Sequence, residues 1–205
     1  RSGAPVSMPG MMETVLNVGL SDQTLSGFLR ITGNPRLVWD SYRRLVEGFA
    51  DVVAGLAREP FAALTAEHVA RAGVARASDL DFRAQRELVH AQLAMYQELA
   101  GEPFPQAPAE QLERALGAVL RSWQSDRARW FRDAHGIPDA PGTAVIVQRM
   151  VFGNAGADSG AGVGFTRDPS TGAAELFIDY APNAQGEDVV SGRAALGDHV
   201  AGALP

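Results

Sequence analysis

At 205 residues, with 46% hydrophobic and 20% charged side chains, the chain has a globular composition and enough length for one substantial core or two small ones. A formal net charge of -6 with no clustered basic stretch argues against a nucleic-acid partner, and the absence of cysteine removes disulfide and thiolate chemistry. No apolar run approaches the roughly 18 residues of a membrane span, and the first residues lack a leader's charged and apolar regions, so the expected setting is soluble and cytoplasmic, with no membrane partner.

In chain order, residues 1–20 carry Gly3, Pro5, Pro9, Gly10 and Gly19 and read as a loop turning into a short helix at METVLNVGL. From 21 to 136 the grammar is helical. In LVWDSYRRLVEGFADVVAGL, Leu37, Val38, Tyr42, Leu45, Val46, Phe49, Val52, Val53 and Leu56 share one stripe. A second helix is predicted behind Asp79 or Asp81 and ends at Gly101; a proline-rich linker follows, then one long helix from Ala109 to Gly136. The aromatics Trp39, Tyr42, Phe49, Trp123, Trp130 and Phe131 are expected to pack in or between these helices.

After Pro141 and Gly142 the pattern becomes that of strands. TAVIVQRMVF is β-branched and apolar, while GVGFTRDPSTG and AAELFIDYAP read as two strands joined by a Pro-Ser-Thr-Gly turn. The fold class is therefore α+β, divided as 1–20 (loop and short helix), 21–136 (helical) and 137–205 (β-rich).

All 18 basic residues other than histidine are arginine. A nucleotide-phosphate site in this chain must then use arginine, backbone N–H groups or a metal, since no P-loop lysine exists. The segment VFGNAGADSGAGVGF has five glycines between apolar strands, which suits either a simple hairpin or an N–H nest for an anion. Beyond it, Asp179 is followed by Asn183, Gln185, Glu187, Asp188 and Arg193. Such a group is either a solvated loop after a strand or a set of oxygen ligands for Mg2+. His68, His90, His135 and His199 are too scattered to form a ligand set, and Ser7, Ser159 and Ser170 show no nucleophile pattern.

RSGAPVSMPGMMETVLNVGL, GNPRLVWDSYRRLVEGFADVV, GTAVIVQRMVFGN, SGAGVGFTRDPSTG and NAQGEDVVSG, in this order, resemble the ATP-binding segment of the pyruvate, phosphate dikinase family. The resemblance covers nearly the whole chain. It implies a partial ATP-grasp-like nucleotide-binding module with an inserted helical subdomain. It also implies ATP as substrate, Mg2+ as cofactor, and transfer of the β-phosphoryl group to a histidine on a separate swivelling domain, which later phosphorylates pyruvate at a third domain.

Carried onto these residues, the resemblance gives Arg1 and Arg193 catalytic and phosphate-binding roles. It places Gln148, Met150 and Val151 along the adenine, Gly160 and Gly162 in the glycine loop, and Asp179 at the metal and nucleotide, where the family usually has glutamate. Ala161 stands where the family commonly has threonine, so a hydroxyl is missing. The family's upstream lysine and glycine loop and its downstream phosphohistidine and pyruvate domains are not in this sequence. The expectation is an incomplete, monomeric ATP site, inactive alone, with Arg1 as a flexible first residue. A non-catalytic nucleotide-sensing or partner-binding domain, or a purely structural helical one, are the alternatives.

Overall fold

The computed structural model describes residues 1–139 and 142–190; Arg193 and His199, singled out above, lie outside the described residues. The chain divides into two compact units, Arg1–Arg149 and Met150–Pro205.

The first unit is mainly helical. Strand β1 (Ser2–Gly3) leads through a long loop to α1 (Leu25–Thr32) and α2 (Pro35–Val52). These are followed by α3 (Glu59–Ala72), a single 3-10 turn, α4 (Phe82–Ala100), α5 (Pro108–Ser122), α6 (Asp126–His135) and β2 (Ala144–Val145). Local chemistry sets the boundaries. The Asn34 side chain accepts from the Leu37 amide with Pro35 at the first helical position, and Asp81 accepts from the amides of Arg83 and Ala84. Gly33, Gly73, Gly101 and Gly136 close α1, α3, α4 and α6 in the left-handed region that glycine tolerates best.

The predicted stripe of α2 is the core: Tyr42, Leu45, Val46 and Phe49 are fully buried, and α2 packs on α4 through Val89 and Tyr96. Phe104, from the proline-rich linker, makes edge-to-face contacts with Phe49 at 5.2 Å and Tyr96 at 5.3 Å. Polar groups are buried beside this core. Asp40 accepts from Arg43 at 2.8 Å and from Arg44 at 2.9 Å, and Arg43 also reaches Glu47 at 2.7 Å. The second Glu47 oxygen takes Thr65 and Gln92, so one ionic network ties α2 to α3 and α4.

Three sequence expectations are corrected here. Residues 12–20 are irregular, with a turn at 17–19, rather than a short helix. Asn17 at φ 60° and Gly19 at φ 105° leave the helical region, and Gln111 of α5 accepts from the Gly19 amide, which a helix would have bonded internally, and donates to the Leu20 carbonyl. The long helix expected from Ala109 to Gly136 is two helices, because Ser122–Ser125 tighten into i to i+3 turns and the Ser125 hydroxyl then caps α6 by accepting from Ala128. That break rotates α6, so Trp130 is 68% exposed while Trp123 is buried. Finally, only Ala144–Val145 of TAVIVQRMVF is a strand. Its ladder partner among the described residues is the short β1, with Ser2 opposite Val145 and Gly3 opposite Ala144.

The second unit is a hairpin of β3 (Gly160–Phe165) and β4 (Phe177–Pro182), antiparallel with Gly162 opposite Tyr180 and Val163 opposite Asp179, followed by the short helix α7 (Gly186–Val190). The predicted turn forms. The Asp168 carboxylate accepts from the amides of Ser170 at 2.7 Å and Thr171 at 3.1 Å, and Gly172 takes φ 75°. One face of the hairpin, with Ala161, Val163 and Ala181, packs against Ala184 and Val189. Helices and small sheets together make the α+β class predicted from the sequence.

Candidate functional site

In the first unit, Arg1 is joined to the strand that leads towards Gln148. Its nitrogen donates to the Ile146 carbonyl at 3.0 Å, and the Ile146 amide donates to the Arg1 carbonyl at 2.8 Å. The expected loose first residue is thus an extension of the β1–β2 ladder, with its guanidinium exposed. Beyond Ile146 the chain is irregular and Gln148 is exposed.

In the second unit Met150 is half-buried and Val151 is 88% exposed, just ahead of the glycine-rich connection. The glycines there divide into two kinds. A Cβ on Gly153 would overlap the backbone oxygens of Ala184 and Gly160, and one on Gly160 would overlap the ring of Tyr180. At Gly162 a Cβ would stand 2.8 Å from the Asp179 carbonyl, whereas Gly156 and Gly164 face open space. Close approach at 153 and 160 therefore serves the protein's own packing, and the open positions are 156 and 164.

The pleat separates the expected ligands. Side chains alternate along a strand, so Asp179 shares a face with Val163, Ala161 and Ala181, while Gly160, Gly162 and Gly164 lie on the other face with Tyr180. Past β4, Asn183 adopts φ 48° and its amide donates to the Ser159 carbonyl at 2.7 Å. This turn buries Gln185 to 3% exposure, with neither amide Oε1 nor Nε2 partnered among the described residues. The Asp188 carboxylate is committed elsewhere, accepting from the Gln185 amide at 3.2 Å, and Glu187 is exposed on α7. The sequence pointed to Gln185 only as one of several oxygen donors; its burial depends on the left-handed turn at Asn183, which an Asn-Ala-Gln-Gly string suggests but does not locate.

Among the described residues no three His, Asp or Glu side chains gather into a metal cluster, and no helix is long and apolar enough to cross a membrane. Mg2+ needs no such cluster, since it is commonly held by one or two carboxylates together with substrate phosphates and water. The Asp179 carboxylate and the buried amide oxygen of Gln185 fit that donor chemistry. A groove of about 780 Å3 in the first unit runs between α4, α5 and the segment that follows α2, past Leu56, Tyr96, Leu99, Arg114 and Arg121, and none of the residues expected to meet nucleotide lines it.

Comparison with known proteins bears on these residues. The family described as "Pyruvate phosphate dikinase, AMP/ATP-binding domain" matches residues 2–200. The chain is 47% identical over 192 residues to a pyruvate, phosphate dikinase of Rhizobium meliloti (strain 1021), covering 94% of this chain and 21% of that protein. It is 48% identical over 193 residues to the Clostridium symbiosum protein of that name, covering 94% and 22% respectively. A chloroplastic pyruvate, phosphate dikinase 1 of Arabidopsis thaliana is 47% identical over 192 residues, covering 94% and 20%. The chain spans about a fifth of the length of the curated relatives it matches.

Proposed function

The chain belongs to the pyruvate phosphate dikinase AMP/ATP-binding domain family, and from that premise we propose that it supplies part of an ATP site of the ATP-grasp type. In this reading the helical stretch 21–136 is an insertion between a nucleotide-contacting loop at 1–20 and the β-rich part at 137–205. Arg1 and Arg193 neutralise phosphate charge, the backbone at Gln148, Met150 and Val151 meets adenine, and Gly160 and Gly162 bring N–H groups near the phosphates.

Asp179 and Gln185 would hold Mg2+, which would supply neutralisation of phosphate charge there. The whole protein then moves the ATP β-phosphoryl group to a histidine on another domain, converting ATP, phosphate and pyruvate into AMP, pyrophosphate and phosphoenolpyruvate. With no lysine among these 205 residues, the cations that this chain itself can bring to phosphate are arginines, beside any bound metal.

The observation that carries this reading is the buried, unpartnered amide of Gln185 directly behind the strand of Asp179. A buried amide without partners costs about 1 to 3 kcal/mol, so a ligand that satisfies it offsets a defect of the empty protein. Calorimetric titration with ATP, with and without Mg2+, tests the reading. Saturable binding that requires Mg2+ and weakens in Gln185→Leu is expected; no heat from the unaltered chain at millimolar ATP would refute it.

A further inference from the structure

We propose that Arg132 is a positioning residue for the nucleotide site, acting through Trp123 and the loop at 4–13 to hold the strand that presents Arg1. The inference rests on the reading of Arg1 as a phosphate contact.

Arg132 sits in α6 with no exposed surface. Its Nε donates to Asp139 at 2.7 Å, its Nη1 donates to the Trp123 carbonyl at 2.6 Å, and its guanidinium lies 4.2 Å from the centre of the Trp123 ring. The arginine thus grips the backbone and the side chain of one residue, at the point where α5 ends. Stability alone does not call for this. Desolvating a guanidinium is costly, and an apolar side chain of similar length often serves a core better. The corner also carries two further buried donors, Arg132 Nη2 and Trp123 Nε1, with no partner among the described residues. A costly polar joint that is rigid in direction suits the fixing of a geometry.

What the joint fixes is the loop. Trp123 is buried with Met8 and Ala128, and Ala4, Met11 and Met12 pack against the same cluster. Two more ties join this loop to this corner: the Glu13 amide donates to Ser122 Oγ at 3.2 Å, and Glu13 pairs with Arg127. Ala4 directly follows Gly3, which faces Ala144 in the ladder, and Arg1 bonds Ile146 on both sides. The strand of Arg1 is therefore held at one edge by β2 and, through its own continuation, by the corner that Arg132 sets.

A purely structural Arg132 and a positioning Arg132 differ in what their loss does to binding. The test uses the full 205-residue chain and MgATP as probe, with Arg132→Met, Arg132→Lys, Arg1→Ala and the Arg1→Ala/Arg132→Met double variant. Asp139 is 75% exposed, so Arg132→Met strands no buried carboxylate. Arg132→Met is expected to weaken MgATP binding about tenfold, and the double variant to bind no more weakly than Arg1→Ala alone, the non-additivity of residues acting through one another. Arg132→Lys keeps a cation but loses the fork, and recovers part of the affinity.

A ligand-free measurement keeps the two readings apart. Hydrogen exchange at the Ile146 amide, which bonds the Arg1 carbonyl, is expected to speed up in Arg132→Met and stay unchanged in Trp130→Ala. Unchanged Ile146 exchange, or losses that add independently in the double variant, would overturn the positioning role. Faster Ile146 exchange in a chain that binds no MgATP would instead overturn the nucleotide reading and the role of Arg132 in it, leaving only the mechanical link.

Discussion

The ring of Tyr180 covers Gly160 so closely that a methyl group on the glycine would overlap it, although the two residues are not direct partners in the ladder. Tyr180 is 44% exposed and can swing outward, whereas the backbone oxygens that crowd Gly153 cannot. Gly160→Ala is therefore expected to cost about 1 kcal/mol and Gly153→Ala at least about 2 to 3 kcal/mol, the range of overpacking penalties. Hydrogen exchange across β3 and β4 measures both. The cost at 160 should vanish when Tyr180 is also replaced by Ala.

Asp40 gives the first unit a pH dependence of definite sign. Burial alone would raise its carboxyl, but the guanidiniums of Arg43 and Arg44 outweigh that and hold it below the usual carboxylate range. A depressed folded value means the stabilisation is complete above the unfolded value near about 3.9 and is lost as pH falls through the folded one. Denaturant unfolding at pH 6 should show Asp40→Asn less stable by about 3 kcal/mol, the cost of breaking a buried pair. The gap should narrow steadily below pH 4.

Phe49 and Trp130 are both large aromatics on predicted helices, and their substitutions should differ sharply. Phe49 is fully buried between Tyr96 and Phe104, so Phe49→Ala is expected to lower stability by about 3 to 5 kcal/mol. Trp130→Ala, on the solvent face of α6, should stay within about 0.5 kcal/mol. Paired unfolding curves of the two variants decide this.

Ala161 lies on the hairpin face that also carries Asp179, opposite Ala181. A threonine there would add a hydroxyl on the side of the proposed metal ligand. Ala161→Thr is expected to tighten MgATP binding by about 1 kcal/mol, one neutral hydrogen bond, and an unchanged calorimetric affinity would count against the site.

The parts of the fold that the sequence disclosed were those with local causes. The stripe of α2, the Asp81 cap and Gly101 stop of α4, and the Asp168 turn each follow from residues within a few positions of one another. What stayed hidden had distant causes. METVLNVGL has a helix-compatible pattern, but Gln111, far along the chain, accepts from the Gly19 amide and donates to the Leu20 carbonyl, which holds the segment on another path. TAVIVQRMVF has strand propensity, yet among the described residues it pairs only with Ser2–Gly3, a distant segment, with Arg1 and Ile146 exchanging hydrogen bonds just beyond.

The site followed the same division. Asp179 on a strand was readable from LFIDY, and so was the glycine-rich connection ahead of it. That Gly162 stands opposite Tyr180 and Val163 opposite Asp179 is a matter of register, which the alternation of small residues in GAGVGF leaves open. Gln185 and Arg132 were equally out of reach, since burial of a polar side chain is set by what packs over it.

Gln111 bonds Gly19, Leu20 and Pro105 with one amide, so the first loop is moored to the root of α5 and to the linker before it. The same loop lays Val15, Val18 and Leu20 against the core that α2 and α4 build, so its path is fixed by hydrogen bonds on one side and by apolar burial on the other, and a change in either the linker or the core would be felt along the span back to Arg1.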